Sequence, residues 1–261
     1  MQKPLPLSVC MISGAEAPRI GRALESVASW ISEIVVVLNE DVTDGTDKIA
    51  LEHGARVFRE PWKGHIAQKN SAAKKATQTW ILGLDADELV SPRLREEIQN
   101  TLADARGSEG FAAFSFPRRS WYCGRWINHG DWYPDRQTRL WRRGHASWGG
   151  LDPHDKLVVD GITGKLSADL HHYSNESIAR QIAKIAPYHQ EFVKRQIERG
   201  GSAGFFEFAV RPTWRFIRAY LIRRGFLDGW QGFYIAALSS FSTLTRYALV
   251  RETERGERAS P

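Results

Sequence analysis

Three carboxylates stand close together directly after an apolar, strand-like run. Asp85, Asp87 and Glu88 occupy three of four consecutive positions at the end of residues 79–84. Like charges at this spacing raise one another's pKa unless a cation compensates them. Mg²⁺ and Mn²⁺ prefer oxygen ligands and often bind one or two protein carboxylates together with phosphate oxygens. The cluster therefore predicts a metal site for a phosphorylated ligand. The alternative is that these residues lead into a helix at Pro92, where negative charge favours the helix N-terminus.

The elements that must position this cluster alternate along the first hundred residues. Apolar runs predict strands at residues 7–12, 34–38, 55–59 and 80–84, and helical spacing predicts helices at 19–30, 46–53, 67–77 and 92–105. This order predicts an α/β fold, a doubly wound and mostly parallel sheet with helices on both faces. Ligands bind such sheets beyond the carboxyl ends of the strands. Asn39, which follows the second strand, and Asp85 are therefore expected in one crevice.

Composition limits the class of protein and the partners it can have. The 261 residues are 42% hydrophobic and 25% charged, which suits one sizeable globular domain with an appendage. The net charge of +6 favours an anionic partner: nucleic acid, a phosphorylated small molecule or an acidic membrane. Cys10 and Cys123 have no CxxC spacing, which favours a reducing compartment. Residues 1–6 do not resemble a secretion signal, and residues 233–250 contain Arg246 and several hydroxyl groups, which favours a buried or interfacial helix over a membrane span.

The C-terminal part contains a basic amphipathic segment. Residues 211–224 include five arginines and no acidic residue. Arg211, Arg215 and Arg218 share one side of the predicted helix, and Trp214 lies on another. This pattern is typical of a helix on an anionic membrane. The alternative is a helix that packs its apolar side on the rest of the protein. We expect a catalytic domain at residues 1–200, a membrane-associated helical segment at 201–250 and a disordered tail at 251–261.

Several short strings occur in a fixed order along the chain. They are Val42-Thr43-Asp44-Gly45-Thr46, Pro61-Trp62-Lys63-Gly64, Gln68-Lys69-Asn70, Asp85-Ala86-Asp87-Glu88, Trp132-Tyr133-Pro134-Asp135-Arg136-Gln137, Pro153-His154-Asp155-Lys156 and His171-His172-Tyr173. Each string alone is weak, but the set resembles family 2 glycosyltransferases of the nucleotide-sugar-binding GT-A fold. It is most similar to the branch that glycosylates the lipopolysaccharide core. The resemblance covers most of the chain and implies a Rossmann-like GT-A fold with a C-terminal helical appendage.

The resemblance also implies a metal site. Asp85 and Asp87 would hold Mg²⁺ or Mn²⁺ against the donor diphosphate, and His172 resembles the late histidine that completes this site in many relatives. The ion would act as a Lewis acid on the departing nucleotide. A lone histidine is more often structural, and the neighbouring His171 offers a second choice.

Three further residues resemble nucleotide contacts. Glu16 retains the acidic residue of the family's Asn-Glu pair, in which Ala15 replaces the asparagine. Asn39 stands where relatives often have an aspartate that reads the base, and an amide still offers a donor and an acceptor to uracil. Lys69 resembles the basic residue that reaches the nucleotide; the alternative is a solvent-facing helix lysine.

On the acceptor side, Asp155 resembles the family's general base, where this branch more often has Glu. The base removes a proton from the acceptor hydroxyl, and such catalysis accelerates reactions by roughly 10²- to 10⁴-fold. The alternative is an aspartate that caps a helix or pairs with a neighbouring lysine. Four residues are candidates for acceptor or phosphate contacts: Trp132, Asp135, Arg136 and Arg139. The arginines suit bidentate binding of phosphate, although they could equally bridge strands.

Together these residues imply an inverting, metal-dependent hexosyltransferase. It would move a hexose, glucose in first place, from a UDP-sugar to a lipid-anchored saccharide such as the lipopolysaccharide inner core. It would be cytoplasmic and peripheral on the inner face of the cytoplasmic membrane. One alternative is transfer to polyprenyl phosphate. Another is a basic nucleic-acid-binding module, which the acidic cluster and the lack of an RNP or zinc-finger string disfavour. A pyridine-nucleotide dehydrogenase is disfavoured because GxGxxG does not follow the first strand.

Overall fold

The structure is a computed structural model that describes residues 4–103, 105–151, 154–175, 178–198 and 203–259. Its strands are β1 (Leu5–Ser13), β2 (Ile31–Asn39), β3 (Arg56–Glu60), β4 (Trp80–Gly83), β5 (Glu88–Val90), β6 (Phe111–Tyr122), β7 (Arg125–Trp126), β8 (Asp135–Arg142), β9 (Ala146–Leu151), β10 (His154–Val159), β11 (Ile162–Lys165) and β12 (Leu170–Asn175). Its α-helices are α1 (Ala17–Ala28), α2 (Thr46–Glu52), α3 (His65–Lys75), α4 (Pro92–Ala103), α5 (Ala105–Ser108), α6 (Ile178–Glu198), α7 (Arg211–Ile217) and α8 (Gly229–Ala259). Two π-helical segments, Phe206–Val210 and Arg218–Ile222, flank α7.

A ten-stranded mixed sheet organises the first part of the chain. Its main order is β3-β2-β1-β4-β8-β6-β12-β5, and β9 pairs with β10 in a separate ribbon. Strands β1 to β4 pair in parallel, whereas β8 runs antiparallel to β4 and β12 antiparallel to β5. The α/β fold predicted from the alternating elements is confirmed, with antiparallel strands added beyond β4.

Alternate side chains of the central strands enter two cores, one on each face of the sheet. Leu7 and Val9 of β1 pack in the core that includes Leu24 of α1, and Cys10 packs in the core that includes Ala72 of α3. Because both faces are covered, β2 and β4 carry continuous apolar runs without polar alternation. The predicted placement of helices on both faces is therefore confirmed.

The chain forms two compact units, and neither corresponds to a single continuous stretch. The first comprises Met1–Arg118 and Arg136–His172, and the second comprises Arg119–Asp135 and Tyr173–Pro261. The predicted division at residue 200 stays a prediction. The contacts of the structure group residues 173–200 with the C-terminal helices. Helix α8 continues to Ala259, through most of the segment predicted as a disordered tail, where Arg, Glu and Ala are strong helix formers.

Two buried carboxylates organise the second unit. Asp228 accepts hydrogen bonds from the backbone N–H groups of Asn128 and His129, at 2.9 and 2.8 Å. Asp131 lies 2.9 to 3.3 Å from the guanidinium groups of three arginines, Arg215, Arg218 and Arg223. The acidic residues of the 119–135 segment and of the C-terminal part thus hold this unit together. In the described parts of the chain, the helices lack the combined length and apolar character that crossing a bilayer requires.

Candidate active site

The acidic cluster forms a tight turn where β4 ends. The N–H of Glu88 donates to the Asp85 carbonyl at 3.0 Å, and the N–H of Asp85 donates to the Glu88 carboxylate at 3.1 Å. Gly83 precedes the turn because two indole rings lie against it; a Cβ there would stand 3.0 Å from Trp148 and 3.3 Å from Trp141. The turn therefore depends on a glycine, two rings and one buried carboxylate.

Glu88 anchors two arginines beneath the turn. Its side chain has no exposed surface, and its Oε1 lies 3.2 Å from Nη1 of Arg118 and 3.4 Å from Nη2 of Arg139. The same Nη2 of Arg139 donates to Asp85 at 2.8 Å. Burial alone would lower the pKa of Arg139, but the neighbouring carboxylates raise it above its ordinary value, so the guanidinium stays charged.

Lys69 joins two of the predicted site residues. Its Nζ lies 2.9 Å from Asp155 and 3.3 Å from Asp85, and its side chain is largely buried. Burial alone would raise the pKa of Asp85, yet Arg139 and Lys69 lower it well below its ordinary value. The alternative of a solvent-facing Lys69 is therefore wrong, because this lysine lies between two carboxylates.

Trp148 supports both cations from below. The Lys69 ammonium lies 4.6 Å and the Arg139 guanidinium 5.1 Å from its ring. Asn70 fixes the strand that carries this ring, since its amide exchanges hydrogen bonds with the Trp148 backbone at 2.8 and 2.9 Å. Cation–π attraction of this kind holds both side chains against the ring. The result is a preformed positive surface beside Asp85.

Asp87 and His172 form a separate pair at the same turn. Oδ2 of Asp87 lies 3.6 Å from Nε2 of His172. Burial alone would raise the pKa of Asp87, but the hydrogen bond and charge of His172 lower it. β5 and β12 bring the pair together, because Glu88 and His172 are register partners.

The residues at the turn can be tested for a divalent ion. Two ligands each about 2.1 Å from one ion lie roughly 3 to 4 Å apart, so the Asp87–His172 pair fits a shared Mg²⁺ or Mn²⁺. Asp85 was also predicted as a ligand of this ion; both of its oxygens face cations in the structure, and its part in metal binding stays a prediction. Among the described residues, no three His, Cys, Asp or Glu side chains form a ready metal cluster. A site here would therefore need phosphate or water oxygens as its remaining ligands.

The loops after β1 and β2 are tied to each other. Glu16 donates its backbone N–H to Thr46 at 2.9 Å, and Asp44 accepts from Ala17 at 3.0 Å and from the Thr46 hydroxyl at 2.6 Å. The Glu16 carboxylate pairs with Arg19. The hydrogen bonds that Asp44 accepts lower the pKa of its carboxyl group, chiefly the one from Thr46. The two loops therefore form one rigid rim at the carboxyl edge of the sheet.

Two amide side chains have buried hydrogen-bonding atoms that no described residue uses. Within the described residues, Oδ1 of Asn39 and both polar atoms of Gln68 have no hydrogen-bond partner. Buried polar atoms are normally satisfied, so such atoms mark places where a ligand or water binds. The amide of Asn39 lies beside Gly14, where a Cβ would stand 3.9 Å from it.

The predicted acceptor residues have different surroundings. Arg136 donates to the carbonyl oxygens of Ser115 and Leu166, so it bridges strands in this structure. Trp132, in the second unit, packs edge-to-face on Tyr122 with ring centroids 5.1 Å apart. Asp135 begins β8. Phosphate or acceptor contacts by these three residues remain predictions, whereas Arg139 lies directly at the acidic turn.

Sequence reasoning missed three residues of this site. Trp148 and Arg118 were absent from the predicted set, and Glu88 had no role. A tryptophan in the strand before the Asp155 string was the available signal for Trp148. Nothing in the spacing of Arg118 indicated that it reaches Glu88, thirty positions away.

A Rossmann-like sheet with a carboxylate turn at its carboxyl edge, backed by buried cations, forms a site where open α/β sheets bind their ligands. Residues 8–158 match the model of glycosyl transferase family 2, and the chain belongs to this family. It is an enzyme of the glycosyltransferase class.

The relatives agree over nearly the whole chain. An uncharacterized glycosyltransferase of Rickettsia prowazekii is 31% identical over 94% of this chain and 87% of its own length. The lipopolysaccharide core biosynthesis glycosyltransferase LpsC of Rhizobium meliloti is 28% identical over 94% of both chains. Among solved structures, S. aureus TarS 1–349 in complex with UDP-GlcNAc has a TM-score of 0.50 at 15% identity, covering 96% of this chain and 92% of that one. That structure supports the GT-A fold, which confirms the fold predicted by resemblance.

Proposed function

We propose that this chain is an inverting, metal-dependent hexosyltransferase that uses a UDP-sugar, with glucose as the first candidate. Its acceptor is a lipid-anchored saccharide of the lipopolysaccharide inner-core type. The observation that carries this proposal is the position of Lys69 between Asp85 and Asp155 beside the Asp87–His172 pair. The similarity to LpsC supports the choice of acceptor.

On the donor side, Asp87 and His172 would hold a divalent ion, which would neutralise charge on the leaving diphosphate. Arg139, which is tied to Asp85 and Glu88, supplies positive charge that is already held in place before the donor arrives, and Lys69 adds a second positive charge beside it. The open Oδ1 of Asn39 accepts a hydrogen bond from the N–H of a uracil ring.

On the acceptor side, Asp155 is the general base. It removes the proton of the acceptor hydroxyl while that oxygen attacks the anomeric carbon opposite the leaving nucleoside diphosphate, so the configuration inverts. Before substrates bind, the Lys69 ammonium group forms an ion pair with the Asp155 carboxylate at 2.9 Å. Donor phosphate attracts the ammonium group away, which frees the base only when a donor is present.

The donor site is tested by thermal unfolding of the full chain with a panel of nucleotide sugars, with and without Mn²⁺. We expect a UDP-sugar to raise the Tm only with the metal, by the equivalent of about 2.7 kcal/mol at a hundredfold excess over Kd. Asp87→Ala should remove this effect, and Asp160→Asn, at an exposed position of the same unit, should keep it. Stabilisation that ignores both the metal and Asp87→Ala would contradict the proposal.

The acceptor class is tested at Asp155. With a saccharide acceptor we expect Asp155→Asn to lower kcat by roughly 10²- to 10⁴-fold, because the hydroxyl then lacks its base. Asp155→Glu should retain much of the activity, since it keeps the carboxylate. Near-normal turnover of Asp155→Asn would favour polyprenyl phosphate, an acceptor that is already an anion.

We further propose that the enzyme is cytoplasmic and peripheral on the inner face of the cytoplasmic membrane, where a lipid-anchored acceptor lies. Residues 211–224 supply the basic part of that contact. Cell fractionation tests this location: we expect the full chain in the membrane fraction and its release by high salt with mild detergent.

A further inference from the structure

The second unit exposes an unusual number of large apolar side chains. Six of them lie along α7, its flanking π-segments, the short 3₁₀ helix Gly225–Asp228 and the start of α8: Val210, Trp214, Leu221, Leu227, Trp230 and Phe233, hereafter the apolar face. Trp214, Leu221 and Trp230 are each 54 to 56% exposed. An exposed set of this size marks an interaction surface.

Ring contacts make the apolar face continuous. The Tyr220 ring lies 5.6 Å from Phe233 and 6.2 Å from Phe226, and Phe216 lies 5.8 Å from Phe233. These rings join the 218–222 segment to the first turn of α8. Val210, Trp214 and Leu221 are spaced four and seven positions apart, which places them on one side of their helix.

Charge selects the partner of this face. Arg215, Arg218 and Arg223 share the single carboxylate of Asp131, so the cluster keeps a net positive charge, and these arginines remain 36 to 48% exposed. Arg224 adds another exposed positive charge. A second copy of the chain would bring like charges together in a symmetric contact, whereas anionic lipid headgroups are complementary.

We infer that the apolar face is a lipid-binding surface that inserts shallowly into an anionic bilayer. Tryptophan and phenylalanine enter the boundary between headgroups and acyl chains, and the Asp131-bound arginines contact the headgroups. Asp131 holds these arginines in place. Their charge attracts the protein to the anionic membrane surface, and contact between the apolar face and the lipid keeps it bound. The choice of lipid as the partner rests on the proposed lipid-anchored acceptor.

The test is co-sedimentation of the full chain with vesicles of phosphatidylcholine alone or mixed equally with phosphatidylglycerol, at low and high salt. We expect binding to the mixed vesicles that high salt weakens without abolishing. The double variant Leu227→Ser/Trp230→Ser should lower the partition coefficient about tenfold at either salt. Ile162→Ser, which removes an exposed apolar side chain of the first unit, should bind like the unmodified chain.

A second double variant, Val210→Ser/Trp214→Ser, gives the same test at the other end of the face, and the Tm of each variant reports its folding. Unchanged binding by both folded variants would overturn the inference. Self-association that these variants abolish, without vesicle binding, would also overturn it and assign the face to a second copy. Donor-induced stabilisation is measured separately, so vesicle binding without a donor response contradicts only the proposed function.

Discussion

Glu88 is the residue whose role the sequence left open and the structure defines. Its carboxylate receives the Asp85 N–H and pairs with two arginines while fully buried. A buried carboxylate with three positive or N–H partners is an anchor, because each of them would otherwise lose its hydrogen bonds. Glu88 is therefore a positioning residue for Asp85 and Arg139.

Substituting Glu88 by Gln tests this role. Glu88→Gln removes the charge that holds Arg118 and Arg139, and breaking a buried pair in this way costs about 3 kcal/mol of unfolding free energy. Because Arg139 loses one of its two anchors, we also expect KM for the donor to rise more than kcat falls. Denaturant unfolding and steady-state kinetics measure the two effects.

Glu25→Gln is the matched control, since Glu25 is exposed on α1. It should change neither quantity. If Glu88→Gln lowered kcat and left the donor KM unchanged, Glu88 would act on the chemical step and not as an anchor.

At this scale the sequence predicted Lys69, Asp85 and Asp155 as parts of one site, and Lys69 lies 3.3 Å from Asp85 and 2.9 Å from Asp155. It did not predict Trp148. Motif strings identify residues whose types do chemistry, whereas a supporting ring is chosen by packing against distant strands.

Among the elements, β3 and α3 are joined by one carboxylate at the sheet edge. Glu60 ends β3 and accepts hydrogen bonds from Lys75 at 2.5 Å, Ser71 at 2.8 Å and Lys63 at 3.0 Å. These partners, Lys75 first, lower the pKa of Glu60 from 4.5 to about 2. The residue before the N-cap of α3 and the second half of α3, the helix that carries Lys69, are thereby tied to the sheet.

The lowered pKa predicts how this tie depends on pH. A carboxyl whose pKa is lower in the folded state stabilises the fold fully above its unfolded value, and this contribution disappears as pH falls through the folded value. Glu60→Gln should therefore lower the unfolding free energy by on the order of 1 kcal/mol at neutral pH, after allowance for solvent screening. The difference from the unmodified chain should shrink below pH 4.5 and vanish near pH 2.

Denaturant unfolding across this range checks the prediction. Glu52→Gln, at an exposed position of α2, is the control and should follow the unmodified chain at every pH. A constant difference for Glu60→Gln down to pH 2 would mean that the charge of Glu60 has no part in the tie.

These elements were largely predictable. Except for the short strand β5, which was not predicted, the strands and helices up to α4 occur where apolar periodicity places them, because each buries a face with its own spacing. The strands after α4 were less predictable. The short strand β11 pairs in parallel with the distant β6, where Ile162 faces Phe111, and local patterning carries little information about such pairing.

For the molecule as a whole, the second unit was the part least predictable from the sequence. The sequence indicated a basic helix on an anionic membrane. In the structure three arginines of this segment form ion pairs with Asp131, for which the sequence indicated no such role. The partners are 87 positions apart for Arg218, and no periodicity spans that distance.

Asp131→Asn should expose the dependence of the second unit on this carboxylate. The three guanidinium groups would face one another without a counter-charge, and we expect a loss of about 3 kcal/mol in unfolding free energy. Raising the salt concentration should recover part of the loss, because it screens the repulsion. Thermal unfolding at two salt concentrations measures both effects, and Asp41→Asn, at an exposed position, is the control. An equal loss at both salt concentrations would contradict the electrostatic origin.

The shared carboxylate also sets an order of events during synthesis on the ribosome. Asp131 leaves the ribosome 87 positions before Arg218, a delay of roughly 4 to 17 s at about 5 to 20 residues per second. Until Arg218 emerges, Asp131 lacks this arginine partner. The 119–135 segment therefore stays without this ion pair while residues 136–172 of the first unit are translated. The second unit can complete its folding only when residues 173–261 have emerged. A chain that terminates before them would therefore leave the 119–135 segment without its partners.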